Sequence, residues 1–382
     1  MKINIFYNWY LFYIFAAVKL IQGKILKACK GRLFKRNTIR IMIEFKKYSS
    51  IENSFYKDYV NDVREQVSSD VKWVVQEKVH GTNTSFLCDG HDVKFAKRTS
   101  ILAEDENFYD YHEILEQYHD KVLSLFRRLC RTHEGVKSIS IFGELFGGAY
   151  PHPDVQRVGR LTVIQKGVFY TPKHEFYGFD IYVFTDNGGS YLSVDETNAL
   201  FKSEGFFYAK SLFSGTLDEC LKHSNQFQSK IPEWLGLPAI ADNICEGIVI
   251  RPVVPQYLRT GSRALIKSKN EKFAEKKSVK RRNKQLEQSI EYSKELKELL
   301  FLIEPYVNEN RLVNVVSHIG EVKIPRDFGR LVKAMYDDVM EDFLKEHRDA
   351  HESVDKSEQR VFNSNLNKKI ISLIKAMYMA AQ

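Results

Sequence analysis

The sequence is poor in cysteine. Its 382 residues hold five, Cys29, Cys88, Cys130, Cys220 and Cys245, and no two are spaced C-x-x-C. That spacing argues against a zinc ribbon and against a disulfide-stapled scaffold. With 20 glycines and 9 prolines the chain is neither collagen-like nor of low complexity. Residues 1–41 contain no acid at all, against nine Lys or Arg. A membrane-spanning run is lacking too. The apolar stretch INIFYNWYLFYIFAAV at 3–18 is cut by Lys19, short of the roughly 20 residues a spanning helix needs.

Aromatics are plentiful at 13%, which supplies core material and excludes disorder of the whole chain. The formal charge of +8 belongs to the leader. Outside residues 1–41, 48 basic residues face 49 acids, a net of −1. If the body binds nucleic acid, it does so through a local patch. The leader reads as a targeting segment or, the preferred reading, as an upstream extension, because Met42 opens a stretch, MIEFKKYSSIENSF, that reads like a protein start.

From residue 42 to 270 short apolar runs alternate with turns. Strands are predicted at 72–77, 84–88, 93–97, 138–142, 176–184 and 247–251. Helical spacing marks 111–129 and 194–203. This is the pattern of an α+β domain built on antiparallel sheets. Residues 267–284 carry nine Lys or Arg against Glu271 and Glu275, and 271–284 reads as a basic linker. Beyond it, 285–382 reads as a small all-α domain. Leu331, Met335, Val339 and Phe343 head one apolar stripe, and Leu366, Ile370 and Ile374 another. Pro325 is expected in the first turn of a helix.

The chemistry concentrates in EKVHGTN at 77–83. Lys78 ends an apolar strand, where a solvated lysine is not the expected choice. Gly81 would allow backbone to approach a phosphate closely. A lysine in a partly dry site among other cations becomes a nucleophile. Further segments look like parts of one site: KRT at 97–99, GELFGG at 143–148, FD at 179–180, EGIVIR at 246–251 and LIKSK at 265–269. In the last, Lys267 and Lys269 alternate and so share a strand face. Lysines to attack and neutralise a phosphate, acids for a metal or a ribose, and an aromatic to stack on a base suit nucleotidyl transfer.

The order KVHG, KRT, GELFGG, FDI, EGIVIR, LIKSK resembles the six collinear motifs of the covalent nucleotidyltransferases, and more narrowly the RNA ligase 2 family. The tail, in LVNVVSHIGE and PRDFGRLVKAM, is similar to the helical C-terminal domain of its phage members. The resemblance implies an ATP-grasp-like nucleotidyltransferase domain and a three-step reaction. Lys78 would form lysyl-AMP from ATP, AMP would pass to an RNA 5′-phosphate, and a 3′-OH would displace it. Glu77 would face the adenine end through its backbone, and His80 and Asn83 would lie near phosphates and ribose. Arg98 would meet the ribose or the RNA 5′-phosphate. Glu144 would accept from a ribose hydroxyl and Phe179 would stack on adenine. Asp180 and Glu246 would sit by the metal or order the site, with Glu144 and Glu246 as metal ligands. Lys267 and Lys269 would hold the AMP phosphate. Mg²⁺, with Mn²⁺ as a substitute, would neutralise the triphosphate.

Two positions depart from the family pattern, Gln76 before the first motif and Arg251 at the end of the fourth. The segment 149–175 looks more like that of the editing ligases than of the phage enzyme. The expected partner is RNA with 3′-OH and 5′-phosphate ends, duplex or bridged. A monomer is expected, with no obligate protein partner and an intracellular, cytoplasmic or mitochondrial site. The helical domain is expected to serve RNA binding and the later steps rather than self-adenylylation. The rival reading is a catalytically silent RNA-binding or scaffolding protein on the same fold.

Overall fold

The structure, a computed structural model, describes residues 43–159, 161–274 and 292–378. The leader and most of the expected linker lie outside the described residues. Two sheets organise the first part. One has the order β1 (Glu52–Asn53), β11 (Ile266–Lys269), β10 (Gly247–Pro252), β2 (Trp73–Lys78), β9 (Ser211–Gly215). The other runs β5 (Ser100–Ile101), β4 (Val93–Lys97), β3 (Thr82–Cys88), β6 (Val136–Ala149), β7 (Thr171–Thr185), β8 (Gly188–Tyr191). Every pair is antiparallel except β1 with β11. The strands expected from sequence are all present, and those at 138–142 and 176–184 are the middles of longer ones.

Alternation in the first sheet separates chemistry from core. Trp73, Val75, Ile248, Ile250 and Ile266 project to one side. There they pack with Val60 and Val63 of helix α1 (Lys57–Gln66) and Cys220 of α4 (Leu217–Leu221). The residues between them, Gln76, Lys78, Val249, Arg251, Lys267 and Lys269, line a cavity on the other side. In the second sheet the apolar face meets α2 (Tyr111–Thr132), whose Tyr111, Ile114, Tyr118, Val122, Leu125 and Leu129 recur at helical steps and are buried. The helix α3 (Val194–Ser203) is capped by Ser193, which accepts from the Glu196 N–H. A short α5 spans Ile231–Trp234.

The last part is helical: α6 (Lys294–Leu302), α7 (Glu309–Ile319), α8 (Phe328–Glu352) and α9 (Lys356–Tyr378). Leu331, Met335, Val339 and Phe343 of α8 are buried with Phe362, Leu366, Ile370 and Ile374 of α9. Contrary to the expectation from sequence, Pro325 does not open α8. It lies three residues before Phe328, in a turn that Asp327 stabilises by accepting from the Lys323 N–H. Among the described residues no buried apolar cluster is shared between the helices and the sheets. Polar contacts link them: Thr82 to the Ser317 carbonyl, Asn107 to Glu321, and Asn310 to the carbonyls of Lys272 and Ala274.

Candidate active site

Lys78, Gly247 and Lys269 stand abreast on β2, β10 and β11, and Gln76, Val249 and Lys267 form the row beside them. Glu246, immediately before Gly247, reaches both lysines of the first row. Its carboxylate lies 2.8 Å from Lys78 Nζ and 2.9 Å from Lys269 Nζ, with His80 Nδ1 at 3.7 Å. Burial alone would raise the Glu246 pKa. Lys269 and Lys78, with His80, more than offset that and hold it at about 2. Ser268 points the other way, where its hydroxyl accepts from Asn225.

The chain crosses from the first sheet to the second at Val79–Gly81. A side chain on Gly81 would collide with the Leu145 carbonyl of β6. The glycine is therefore required by the close passage of another strand, and it also borders the cavity, where the sequence placed a phosphate. Beyond it, Asn83 pairs with Glu144 across β3 and β6, and both line the cavity with Arg98 from the turn between β4 and β5. Burial pushes Glu144 up to about 7, with Lys78 pulling it down and Glu246 pushing it further up. Two carboxylates in one pocket thus sit on opposite sides of their ordinary range.

Phe179 reaches the cavity through a bulge. Phe142 pairs with Asp180 and Gly143 with Gly178, so Phe179 is the extra residue on β7. Its ring borders the cavity, edge-on to Tyr48 at 5.0 Å.

One expected site residue is placed outside the cavity lining. Asp180 does not line the cavity. It is fully buried, paired with Arg251 at 2.9 Å and Arg263 at 2.8 Å, and accepts from the Tyr48 hydroxyl at 2.9 Å. Burial would raise its pKa, and the two guanidiniums lower it instead. It is a strut that holds Arg251 and the Phe179 backbone, whose carbonyl Arg251 also binds. Glu77 neighbours Lys78 on one strand, so its side chain turns away from that of Lys78 while the residue still borders the cavity, in keeping with a contact through its backbone. Its carboxylate accepts from Ser229 Oγ at 2.6 Å and the Lys230 N–H at 2.8 Å. Burial raises it to about 7.

As for metal, among the described residues no group of three or more His, Cys, Asp or Glu is arranged as a ligand cluster. The pocket offers Glu144 and Glu246. That suits Mg²⁺ or Mn²⁺, which bind through one or two carboxylates, water and substrate phosphates. Glu246 already carries a lysine on each oxygen, so Glu144 is the better placed of the two.

A family model described as RNA ligase matches residues 71–269, and one described as T4 RNA ligase 2 C-terminal matches 290–372. The chain belongs to the RNA ligase family. Among RNA ligase relatives it is similar to the mitochondrial RNA-editing ligase 2 of Trypanosoma brucei brucei. The two are 26% identical over 349 residues, covering 79% of this chain and 83% of that protein. With the mitochondrial RNA-editing ligase 1 of the same species identity is 32% over 212 residues, and the match spans 48% of this chain and 45% of that protein. Solved structures include a Naegleria gruberi RNA ligase with pyrophosphate, at 16% identity and a TM-score of 0.39, covering 61% of this chain and 59% of that one. An archaeal ATP-dependent RNA ligase matches at 15% and 0.36, covering 87% and 66%. At these scores the likeness is loose.

Several residues around this RNA ligase pocket escaped the sequence reading. Tyr170, from the 149–175 segment, accepts from the His80 N–H at 3.0 Å. Gln76, named above as a departure from the family pattern, donates to the Ala209 carbonyl at 2.7 Å and so ties β2 to the segment before β9. Arg263 is buried beneath the floor. Asn314, Ser317 and His318 of α7 and Asp338, Glu341, Asp342 and Lys345 of α8 also line the cavity. Only the apolar strand beside Arg263 offered a sequence signal. The helical residues lie more than 40 positions beyond the last motif, and local pattern assigns them to a solvated helix face.

Proposed function

We propose that the chain is an ATP-dependent RNA ligase that joins RNA 3′-OH and 5′-phosphate ends, held in duplex or bridged RNA, through lysyl-AMP and adenylylated RNA. The observation that carries this reading is the floor row in which Lys78 and Lys269 converge on Glu246, facing Glu144 and Phe179 across one cavity. The editing-ligase relatives and the two family matches support RNA as the acceptor, and the relatives' names support a mitochondrial site. Among the described residues no helix is long and apolar enough to cross a membrane.

Lys78 Nζ attacks the α-phosphorus of ATP. An N–P bond forms, the bond from that phosphorus to the bridging oxygen breaks, and its electron pair leaves with pyrophosphate. Lys78 must first lose one of its three ammonium protons to water, so that a lone pair faces the phosphorus while another N–H keeps its contact with Glu246. Lys269 and Lys267, on the same face, neutralise charge on the phosphate that stays. Phe179 stacks on the base, and Glu144 takes a ribose hydroxyl or the metal. A divalent ion supplies neutralisation of the triphosphate when bound.

The experiment is incubation of the protein with Mg²⁺ and α-labelled ATP, followed by a denaturing gel and peptide mapping. Label is expected on the Lys78 peptide, with none on Lys78→Ala. A folded protein that takes no label would favour the silent RNA-binding reading, and label persisting in Lys78→Ala would place the nucleophile elsewhere.

A further inference from the structure

Lys78 is the last residue of β2, and the chain rejoins a ladder only at Thr82 of β3. Val79, His80 and Gly81 lie between the two ladders, so their buried backbone groups need other partners. The His80 N–H finds one in the Tyr170 hydroxyl, at 3.0 Å. That partner comes from far along the chain. Tyr170 stands just before β7, in the 149–175 segment. It is fully buried, with its ring edge-on to that of Phe146 at 5.2 Å.

This bond closes a circuit. The Glu77 carboxylate accepts from Ser229 Oγ at 2.6 Å. The Ser229 N–H donates to the Asn243 carbonyl at 2.9 Å. The Asn243 side chain grips Phe169 at both backbone groups, accepting from its N–H at 2.8 Å and donating to its carbonyl at 2.6 Å. Phe169 adjoins Tyr170, whose hydroxyl returns to His80. The circuit thus leaves the chain at Glu77 and rejoins it at His80, with Lys78 in between. Glu77, Ser229, Asn243, Tyr170 and His80 are all buried, and a satisfied buried network of this kind fixes one arrangement of its members. Ser229, Asn243 and Tyr170 do not line the cavity. Burial, with the charges of Glu77 and Glu246, raises the Tyr170 hydroxyl well above the usual tyrosine range. The hydroxyl therefore stays protonated and acts as a hydrogen-bonding group, not as a base.

We propose that Tyr170, anchored by Asn243, is a positioning residue for nucleotidyl transfer: through the His80 backbone it holds the segment that carries Lys78 in the place from which Nζ reaches the α-phosphorus. The inference rests on the reading of Lys78 as the nucleophile. It gives the 149–175 segment a part in the reaction without a contact to the nucleotide. Such a part acts on the rate of the bound complex, because misplacing a reacting group by about 1 Å can cost roughly 10²-fold. The groups that line the cavity, and with them the affinity for ATP, stay as they are.

The test is single-turnover formation of lysyl-AMP by the full chain, with Mg²⁺ and α-labelled ATP over a range of ATP concentrations. Tyr170→Phe keeps the ring and deletes the hydroxyl. It is expected to slow the reaction at saturating ATP by about tenfold, with half-saturation by ATP unchanged. Asn243→Ala, which keeps the hydroxyl but frees its anchor, is the second variant and is expected to show the same split. The double variant should be no slower than the slower single, because both act through one bond. Circular dichroism and denaturant unfolding establish that each variant is folded. A folded Tyr170→Phe that labels at the wild-type rate overturns the proposal and leaves Tyr170 a packed core residue, and so does a loss confined to ATP affinity. Asn243→Ala at the wild-type rate, or losses that multiply in the double variant, would overturn the part given to Asn243. Absence of label in the wild-type chain is a different failure, since it overturns the reading of Lys78 and the proposal with it.

Discussion

The floor of the pocket and its helical wall are built by opposite means. On the floor, charges are buried in close pairs: Lys78 and Lys269 on Glu246, and Arg251 and Arg263 on Asp180. The wall is the outer face of a helical unit with its own apolar core, around Phe343, Met335 and Ile370. It touches the sheets through scattered hydrogen bonds and the loose Lys345–Glu52 pair. Buried pairs fix geometry and are costly to break singly. Polar interfaces between apolar cores permit relative movement. The floor is therefore where chemistry is set, and the wall is a part whose stability and whose contribution to the pocket are separable.

Asp180→Ala should test that difference most severely. It leaves two guanidiniums buried without their carboxylate, at an expected cost of about 3–5 kcal/mol. Denaturant unfolding should show the loss, and AMP binding should weaken with it because the Phe179 bulge loses its strut. An unchanged midpoint would mean that the strut does not bear on the floor. Phe343→Ala should rank next. It removes a buried ring stacked on Phe362 at 5.6 Å, for about 3–5 kcal/mol, yet AMP binding to the folded protein should persist. Loss of AMP binding there would break the distinction between wall and floor.

Glu144→Gln should give the smallest change in stability and the most telling sign. The folded pKa near 7 lies above the unfolded value, so the native state holds more protons through the window between them. Stability therefore falls as pH rises from about 4.5 towards 7. The glutamine variant should melt higher at pH 8, by about 2–4 °C, with the gain gone at pH 5, and it should adenylylate poorly. Glu246 has the opposite sign. With its pKa held at about 2, its contribution is present above about 4.5 and fades as pH falls towards 2. A glutamine at 144 that melts lower at pH 8 would mean that the carboxylate is not strained by burial.

Much of the floor was legible because period-two alternation is local. Lys267 and Lys269 could be placed on one face from their spacing alone, and the same rule turns the Glu77 side chain away from that of Lys78, leaving its backbone as the expected contact. For Asp180 the sequence left open a place by the metal or a part in ordering the site, because its partners are 71 and 83 residues further along and nothing near FDI signals two arginines waiting to bury it. The second demand on Gly81, clearance of β6, was not legible, since that strand begins more than 50 residues later. The wall was invisible for a related reason. Asp338 and Lys345 are ordinary polar positions of an amphipathic helix until the helix is laid over a cavity.

The extra residue on β7 has a consequence for how this pocket could have arisen or be lost. The bulge sets Phe179 outside the ladder, its ring bordering the cavity, while Asp180 returns to register opposite Phe142 and enters the interior ion triad. A single-codon deletion at 179 would restore a regular ladder and remove the ring without replacing it, leaving Asp180 beside Gly178 in a continuous strand. Substitution could only alter which group borders the cavity there, whereas a change of one residue in length would abolish the position itself.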